Sequence, residues 1–165
     1  MGPHEKDDVR GGRRAAARAS SVAIREATQR DAADAAAVAA LLGELDYPSS
    51  PSQAAGRLER IAADPSTWVV VAEAESELAG LGALHVQNLV EHDEPGCEVA
   101  ALVVGQRFRR RGIGELLMQA LENEARRRGG KVMVLNTAHR RADAHAFYEA
   151  LGYEHTGRRY AKKLA

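Results

Sequence analysis

A chain of 165 residues is long enough for one domain with a buried core. Lys plus Arg equals Asp plus Glu at 23 each, so no global basic field recruits nucleic acid or an anionic membrane. No apolar run is long enough to cross a bilayer, and the single cysteine, Cys97, has no internal disulfide partner, which points to a reducing cytoplasm.

Residues 1–20 carry Arg10, Arg13, Arg14 and Arg18 without an apolar h-region, so they do not read as a secretory signal. They are expected to form a disordered leader to one domain spanning 21–165. Val22 to Ile24 alternates like a short strand. Thr28 or Asp31 then caps a helix to about Leu45, with Ala35, Val38, Leu41, Leu42 and Leu45 at helical spacing. Asp46 to Pro51 breaks that pattern. Ser52 is expected to cap a second helix, with Ala55, Leu58 and Ile61 inward, ending before Pro65.

Trp68 to Ala72 reads as a strand, Glu75-Ser76-Glu77 as a turn, and Leu78 to Val90 as a long strand followed by an acidic loop, Glu91 to Gly96. Cys97 to Val104 is another strand. Ile113, Leu116, Leu117, Ala120, Leu121 and Ala125 make the apolar stripe of a strong helix. Arg126, Arg127 and Arg128 suit the negative end of its dipole, and Gly129-Gly130 suits its C-cap. Lys131 to Leu135 reads as a strand and Ala142 to Leu151 as a helix stopped by Gly152. Tyr153 onward is expected to return as one or two strands. The order predicts an α/β domain, one mixed sheet with helices on both faces.

The most informative segment joins Leu102-Val103-Val104 to Gly105-Gln106-Arg107-Phe108-Arg109-Arg110-Arg111-Gly112-Ile113-Gly114. A strand ends, a short loop turns, and a helix begins at two glycines. A helix N-terminus has unpaired N–H groups and partial positive charge, which suit phosphate oxygens. Gly112 and Gly114 would let the backbone approach closely, and Arg109 and its neighbours would add charge-assisted hydrogen bonds. Neither the Gly-Lys-Ser/Thr of a P-loop nor an early dinucleotide fingerprint is present.

Arg109-x-x-Gly112-x-Gly114 after a strand resembles the coenzyme A signature of the GNAT N-acetyltransferases. The element order, the Leu-x-Val strand ending and Ala144-x-x-Phe147-Tyr148-x-x-x-Gly152-Tyr153 strengthen the resemblance, which runs from about Val22 to Leu164. It implies that the amides of Arg110, Arg111, Gly112, Ile113, Gly114 and Glu115 wrap the acetyl-CoA pyrophosphate. It also implies that the main chain at Leu102, Val103 and Val104 pairs with pantetheine like an added strand. The sheet is then expected to splay near residue 135.

Acetyl transfer needs a neutral amine. An amine of pKa about 10.4 is neutral about once in a thousand at pH 7.4, a gap of about 4 kcal/mol that a general base can close. Glu98, eleven residues before Arg109, stands where some GNAT members place that base; ordered water is the other reading, and His85 is a weaker candidate. The resemblance gives Val104 N–H the oxyanion and Tyr148 the leaving thiolate. A phenol near pKa 10 facing a sulfur near 8.5 makes the effect of losing Tyr148 modest. Arg141 stands where many members carry Asn, and either it or Arg140 is a candidate phosphate ligand. Asn136 is a candidate contact for the pantetheine arm.

The expected acceptor is a small, cationic primary amine, attracted by Glu91, Asp93 and Glu94 and bordered by Tyr47, Pro48 and Ser49. No metal, nucleic acid or membrane partner is expected, and homodimerisation is left open. The competing readings are a silent acyl-CoA sensor, a protein lysine or N-terminal acetyltransferase, and a nucleic-acid module with a steep salt dependence.

Overall fold

The β-branched run from Trp68 to Ala72 has apolar layers on both sides, and the sheet is built around it. A computed structural model describes residues 21–28, 31, 35–138 and 141–164. The expected leader and Arg140 lie outside the described residues. In chain order the elements are β1 (Ala23–Glu26), α1 (Ala35–Gly43), α2 (Pro51–Ala62), β2 (Thr67–Ala74), β3 (Glu77–Gln87), β4 (Gly96–Val104), α3 (Ile113–Arg127), β5 (Met133–Leu135) and α4 (Ala142–Ala150). The five strands lie in sequence order; β1 to β4 are antiparallel neighbours and β5 runs parallel to β4.

Period-two alternation sorts the strand residues onto two cores. Val69, Val71, Leu81, Ala83 and Val103 face α1 and α2, packing on Val38, Leu41 and Ala54. Val70, Leu84, Cys97 and Val99 face α3, packing on Ile113, Leu117, Met118 and Leu121, with Phe147 and Tyr148 of α4 on the same side. Burying each such aliphatic side chain contributes about 1.5–3 kcal/mol.

One helix start differs from expectation. Ser50, not Ser52, caps α2: its hydroxyl accepts the Gln53 N–H, the Gln53 side chain accepts the Ser50 N–H, and Pro51 takes the first turn. At the other helix start, where Thr28 or Asp31 is the expected cap, Asp31 is buried, with the Arg25 guanidinium on both carboxylate oxygens at 2.8 Å and the Thr28 N–H at 2.7 Å. Arg25 holds its carboxyl below the usual range against the opposing effect of burial.

The largest departure is at the C-terminus. Residues 154–164 form no strand and are exposed throughout. Three residues of β5 offer that segment a short edge, and Arg158, Arg159, Lys162 and Lys163 favour water. Cys97 is buried and burial pushes its thiol up, which disfavours the nucleophilic thiolate.

Its neighbour Gly130 has no room for a side chain. A Cβ there would meet Cys97 Sγ at 2.3 Å and the Ala125 carbonyl oxygen at 3.1 Å. Gly130→Ala is therefore expected to destabilise the fold by about 1–3 kcal/mol, as other overpacked sites do. A lower urea midpoint at constant m-value would show it; an unchanged midpoint would mean that the α3–β5 corner yields freely.

Candidate active site

The site begins with a fault in the sheet. Leu84 pairs with Val99 and Ala83 with Ala101, so Ala100 is an extra residue in β4. Such a bulge bends its strand and raises the local twist. On the other side, β4 pairs with β5 only through Cys97–Met133, Glu98–Val134 and Val99–Leu135. From Ala100 to Val104 the β5-facing edge of β4 has no strand partner among the described residues. This is the expected splay near residue 135, and it leaves main-chain donors and acceptors lining a slot.

Past the slot, Gly105 N–H bonds back to Ala79 and Gln106 to Phe108 form a single 3-10 turn. Phe108 is buried and anchors the turn under α3. The chain then takes left-handed backbone twice, at Arg110 (φ 61°) and Gly112 (φ 76°). Gly112 is the N-cap of α3 and supplies no side chain, so the first amides of that helix have no side-chain cap. At the start of α2, by contrast, the Ser50–Gln53 box supplies that cap. The start of α3 has the open donors and the dipole that an anion needs.

The arginines are arranged differently from the sequence expectation. Arg109 donates to Glu44 at 2.7 Å and to the Val104 carbonyl at 3.1 Å. Arg107 donates to Glu77 and Glu75 at 2.7 and 3.2 Å, and Arg111 to Glu75 at 2.7 Å, with both guanidinium groups over the Phe108 ring. These three hold the turn in shape. Arg110 has no carboxylate partner among the described residues and is exposed. The two glycines also divide their work. A Cβ at Gly112 would meet nothing within 4 Å, whereas one at Gly114 would lie 3.1 Å from the Phe147 ring. Gly112 serves the backbone conformation and the open approach; Gly114 serves the contact between α3 and α4.

Where β4 is still paired with β5, Glu98 accepts from Asn136 Nδ2 at 2.8 Å. Asn136 thus holds the carboxylate, a role that spacing did not reveal. On α4, Tyr148 sits half-buried between Phe147 and Tyr153, with ring centroids 5.2 and 6.0 Å away. Burial pushes its phenol up, against a smaller opposing effect of Arg141. Arg141 itself donates to Asp46 at 3.0 Å, tying α4 to the α1–α2 loop. Glu94 is engaged by Lys131, which offsets part of the acidic loop's charge. Sequence reading missed Glu44, which ties the α1 C-terminus to the turn; its signal, one acidic residue at a helix end, is too common to single out.

A hollow of about 620 Å³ borders the same turn from the α1 side, lined in part by Arg25, Asp31, Glu44, Glu73, Glu77 and Arg107. It includes none of Glu98, Asn136 or Tyr148, and Arg25 and Arg107 are paired with its own carboxylates.

Residues 28–153 match the acetyltransferase (GNAT) family. The chain is 34% identical over 124 residues to an aminoalkylphosphonate N-acetyltransferase from Salmonella typhimurium, covering 75% of this chain and 78% of that one. A GNAT family acetyltransferase from Staphylococcus aureus superposes with a TM-score of 0.76 at 22% identity, covering 87% of this chain and 99% of that one. An aminoglycoside N-acetyltransferase solved with CoA gives 0.77 at 19% identity, covering 89% and 97%. At these identities the two solved structures bear on the fold.

Proposed function

The chain belongs to the GNAT acetyltransferase family, and from that premise we propose that it transfers acetyl from acetyl-CoA to the primary amine of a small acceptor by direct attack. The observation that carries this reading is the succession of two open features along the chain: the edge of β4 that has no strand partner among the described residues leads, through one tight turn, to a start of α3 without a side-chain cap. Pantetheine has peptide-like donors and acceptors that suit the first, and a diphosphate suits the second. In this reading the main chain of Leu102 to Val104 holds the arm. The amides from Arg110 to Glu115 hold the pyrophosphate, with Arg110 the side chain free to join them.

Glu98 then takes the proton of the attacking amine, the Val104 N–H receives the oxyanion, and Tyr148 protonates the departing thiolate. The C–N bond forms as the C–S bond breaks; the proton lost from nitrogen balances the one gained by sulfur. A silent acyl-CoA sensor would need neither Glu98 nor Tyr148.

Acceptor classes divide on charge. The exposed Glu91 and Asp93 favour a cationic amine. The relative's name points to an amine bearing a phosphonate, and Arg57 suits that second class. Its guanidinium donates to Ser49 in the α1–α2 loop at 2.6 Å and meets no carboxylate among the described residues. Incubation of acetyl-CoA with polyamines, aminoglycosides, aminoalkylphosphonates and lysine peptides, read by mass spectrometry, tests both. Acetylation of peptides alone would favour the protein-acetyltransferase reading. Acetyl-CoA binding with no product from any amine would favour the sensor.

Tyr148→Phe is expected to lower kcat about ten-fold, below the usual range for a general acid, because proton transfer from a phenol to a thiolate of pKa about 8.5 is uphill. Acetyl-CoA affinity should stay within about two-fold, since the ring and its packing remain. Equal turnover in a thiol-release assay would reduce Tyr148 to a packing residue.

A further inference from the structure

A polar row crosses the sheet beside the slot. Thr67 of β2, His85 of β3 and Glu98 of β4 are successive Cα partners, so their side chains share one face. Asn136 bonds Glu98 at one end. At the other end lies Asp64, in the loop between α2 and β2. Its carboxylate accepts the Ser66 O–H at 2.6 Å, the Ser66 N–H at 2.9 Å and the Thr67 O–H at 2.9 Å. Those donors, the Ser66 hydroxyl foremost, hold Asp64 below the usual carboxylate range.

A hydroxyl has one proton to donate. Ser66 and Thr67 both direct theirs to Asp64, so each presents a lone pair to His85. The His85 Nδ1 lies 3.1 Å from Thr67 Oγ1 and 3.4 Å from Ser66 Oγ. Nδ1 must therefore be the donor, and in the neutral ring Nε2 is the unprotonated nitrogen. We propose that Asp64, acting through Thr67 and Ser66, is a positioning residue that holds His85 with its basic Nε2 available to receive protons from the Glu98 side of the row.

The proposal rests on the acetyl-transfer reading and completes its proton balance. An acceptor that arrives as an ammonium must lose one proton before attack and a second as the amide forms. The second is matched by the proton that reaches sulfur; the first must leave the site. Glu98 takes the first from nitrogen, His85 Nε2 takes it from Glu98, and the imidazolium releases it to water; Glu98, emptied in this way, then accepts the second, which balances the proton that Tyr148 gives to sulfur. The charged groups on this path are Asp64 on the β2 side and Glu98 on the β4 side. Arg128, from α3 on the other face, is held by Glu124 and the Pro65 carbonyl.

Long-range proton–nitrogen NMR of the imidazole reads the tautomer without any substrate. The wild-type protein is expected to show neutral His85 protonated at Nδ1, and Ser66→Ala/Thr67→Val to lose that preference. With an amine from the panel, the double variant and His85→Gln should each lower kcat about ten-fold near neutral pH, a fraction of what losing the base itself costs. The loss should shrink towards the amine's own pKa, with KM for acetyl-CoA unchanged. Thr67→Ser should restore both tautomer and rate, which damage to the fold would not allow. Protonation at Nε2 in the wild-type protein would overturn the proposal. So would unchanged kcat in both variants beside an active wild type, with the acetyl-transfer reading intact. A wild-type protein that acetylates no amine would overturn that reading and the relay together.

Discussion

Gly112→Val is expected to remove measurable acetyl-CoA binding while the folded chain survives. Gly112 caps α3 at φ 76° and ψ 3°, a left-handed conformation that costs ordinary L-residues about 1–2 kcal/mol and β-branched ones more. Nothing in the protein lies within 4 Å of a Cβ placed there, so the side chain meets no neighbour of its own. It would instead project where the proposed function seats the diphosphate, and the backbone would relax away from the geometry that aims the amides. Calorimetric titration with acetyl-CoA measures the loss, and urea unfolding limits the stability cost to about 1–3 kcal/mol. Gly112→Ala separates the two effects. Its methyl leaves most of the space open, so the conformational strain remains and affinity should fall only about ten-fold, the equivalent of about 1.4 kcal/mol. A valine variant that binds within about two-fold of wild type would place the diphosphate somewhere else and remove the basis of the proposed function.

Glu98→Gln should cost about 10²-fold in kcat, the lower end of the range for losing a general base. The substitution is close to isosteric, and the Gln carbonyl can still accept from Asn136 Nδ2, as the Oε1 of Glu98 does at 2.8 Å. The site therefore keeps its shape and loses only a proton acceptor, so KM for acetyl-CoA should hold. The deficit should be largest near neutral pH, where the acceptor is almost all ammonium, and should narrow as pH approaches the amine pKa. A kcat within about three-fold at all pH values would transfer the role to ordered water.

Much of the fold was legible in local sequence because the hydrophobic periods are strong. The stripe from Ile113 to Ala125 became α3, and the Trp68–Ala72 run became the middle of β2. Single positions were harder. Ser50 and Ser52 are both good caps, and the choice fell to Ser50 because Gln53 stands three residues on and Pro51 fits the first turn. Strands expected from Tyr153 onward did not form, since a strand needs a paired edge and propensity alone does not provide one.

What the amino-acid order determined by itself is the turn: a glycine able to take positive φ, a run of arginines, and an amphipathic helix beginning directly after them. These are local properties, carried by dihedral preference and by amides within one helical turn. What the arginines do was decided only in three dimensions. Glu44, Glu75 and Glu77 stand some thirty to sixty-five residues away in sequence and draw Arg107, Arg109 and Arg111 into the scaffold. The same holds for Thr67, His85 and Glu98, which share a face because neighbouring strands are in register, and for Asp64 and Asn136, which reach the two ends of that row from loops. Register between strands is a property of the packed sheet, and it brings Thr67, His85 and Glu98 into one row.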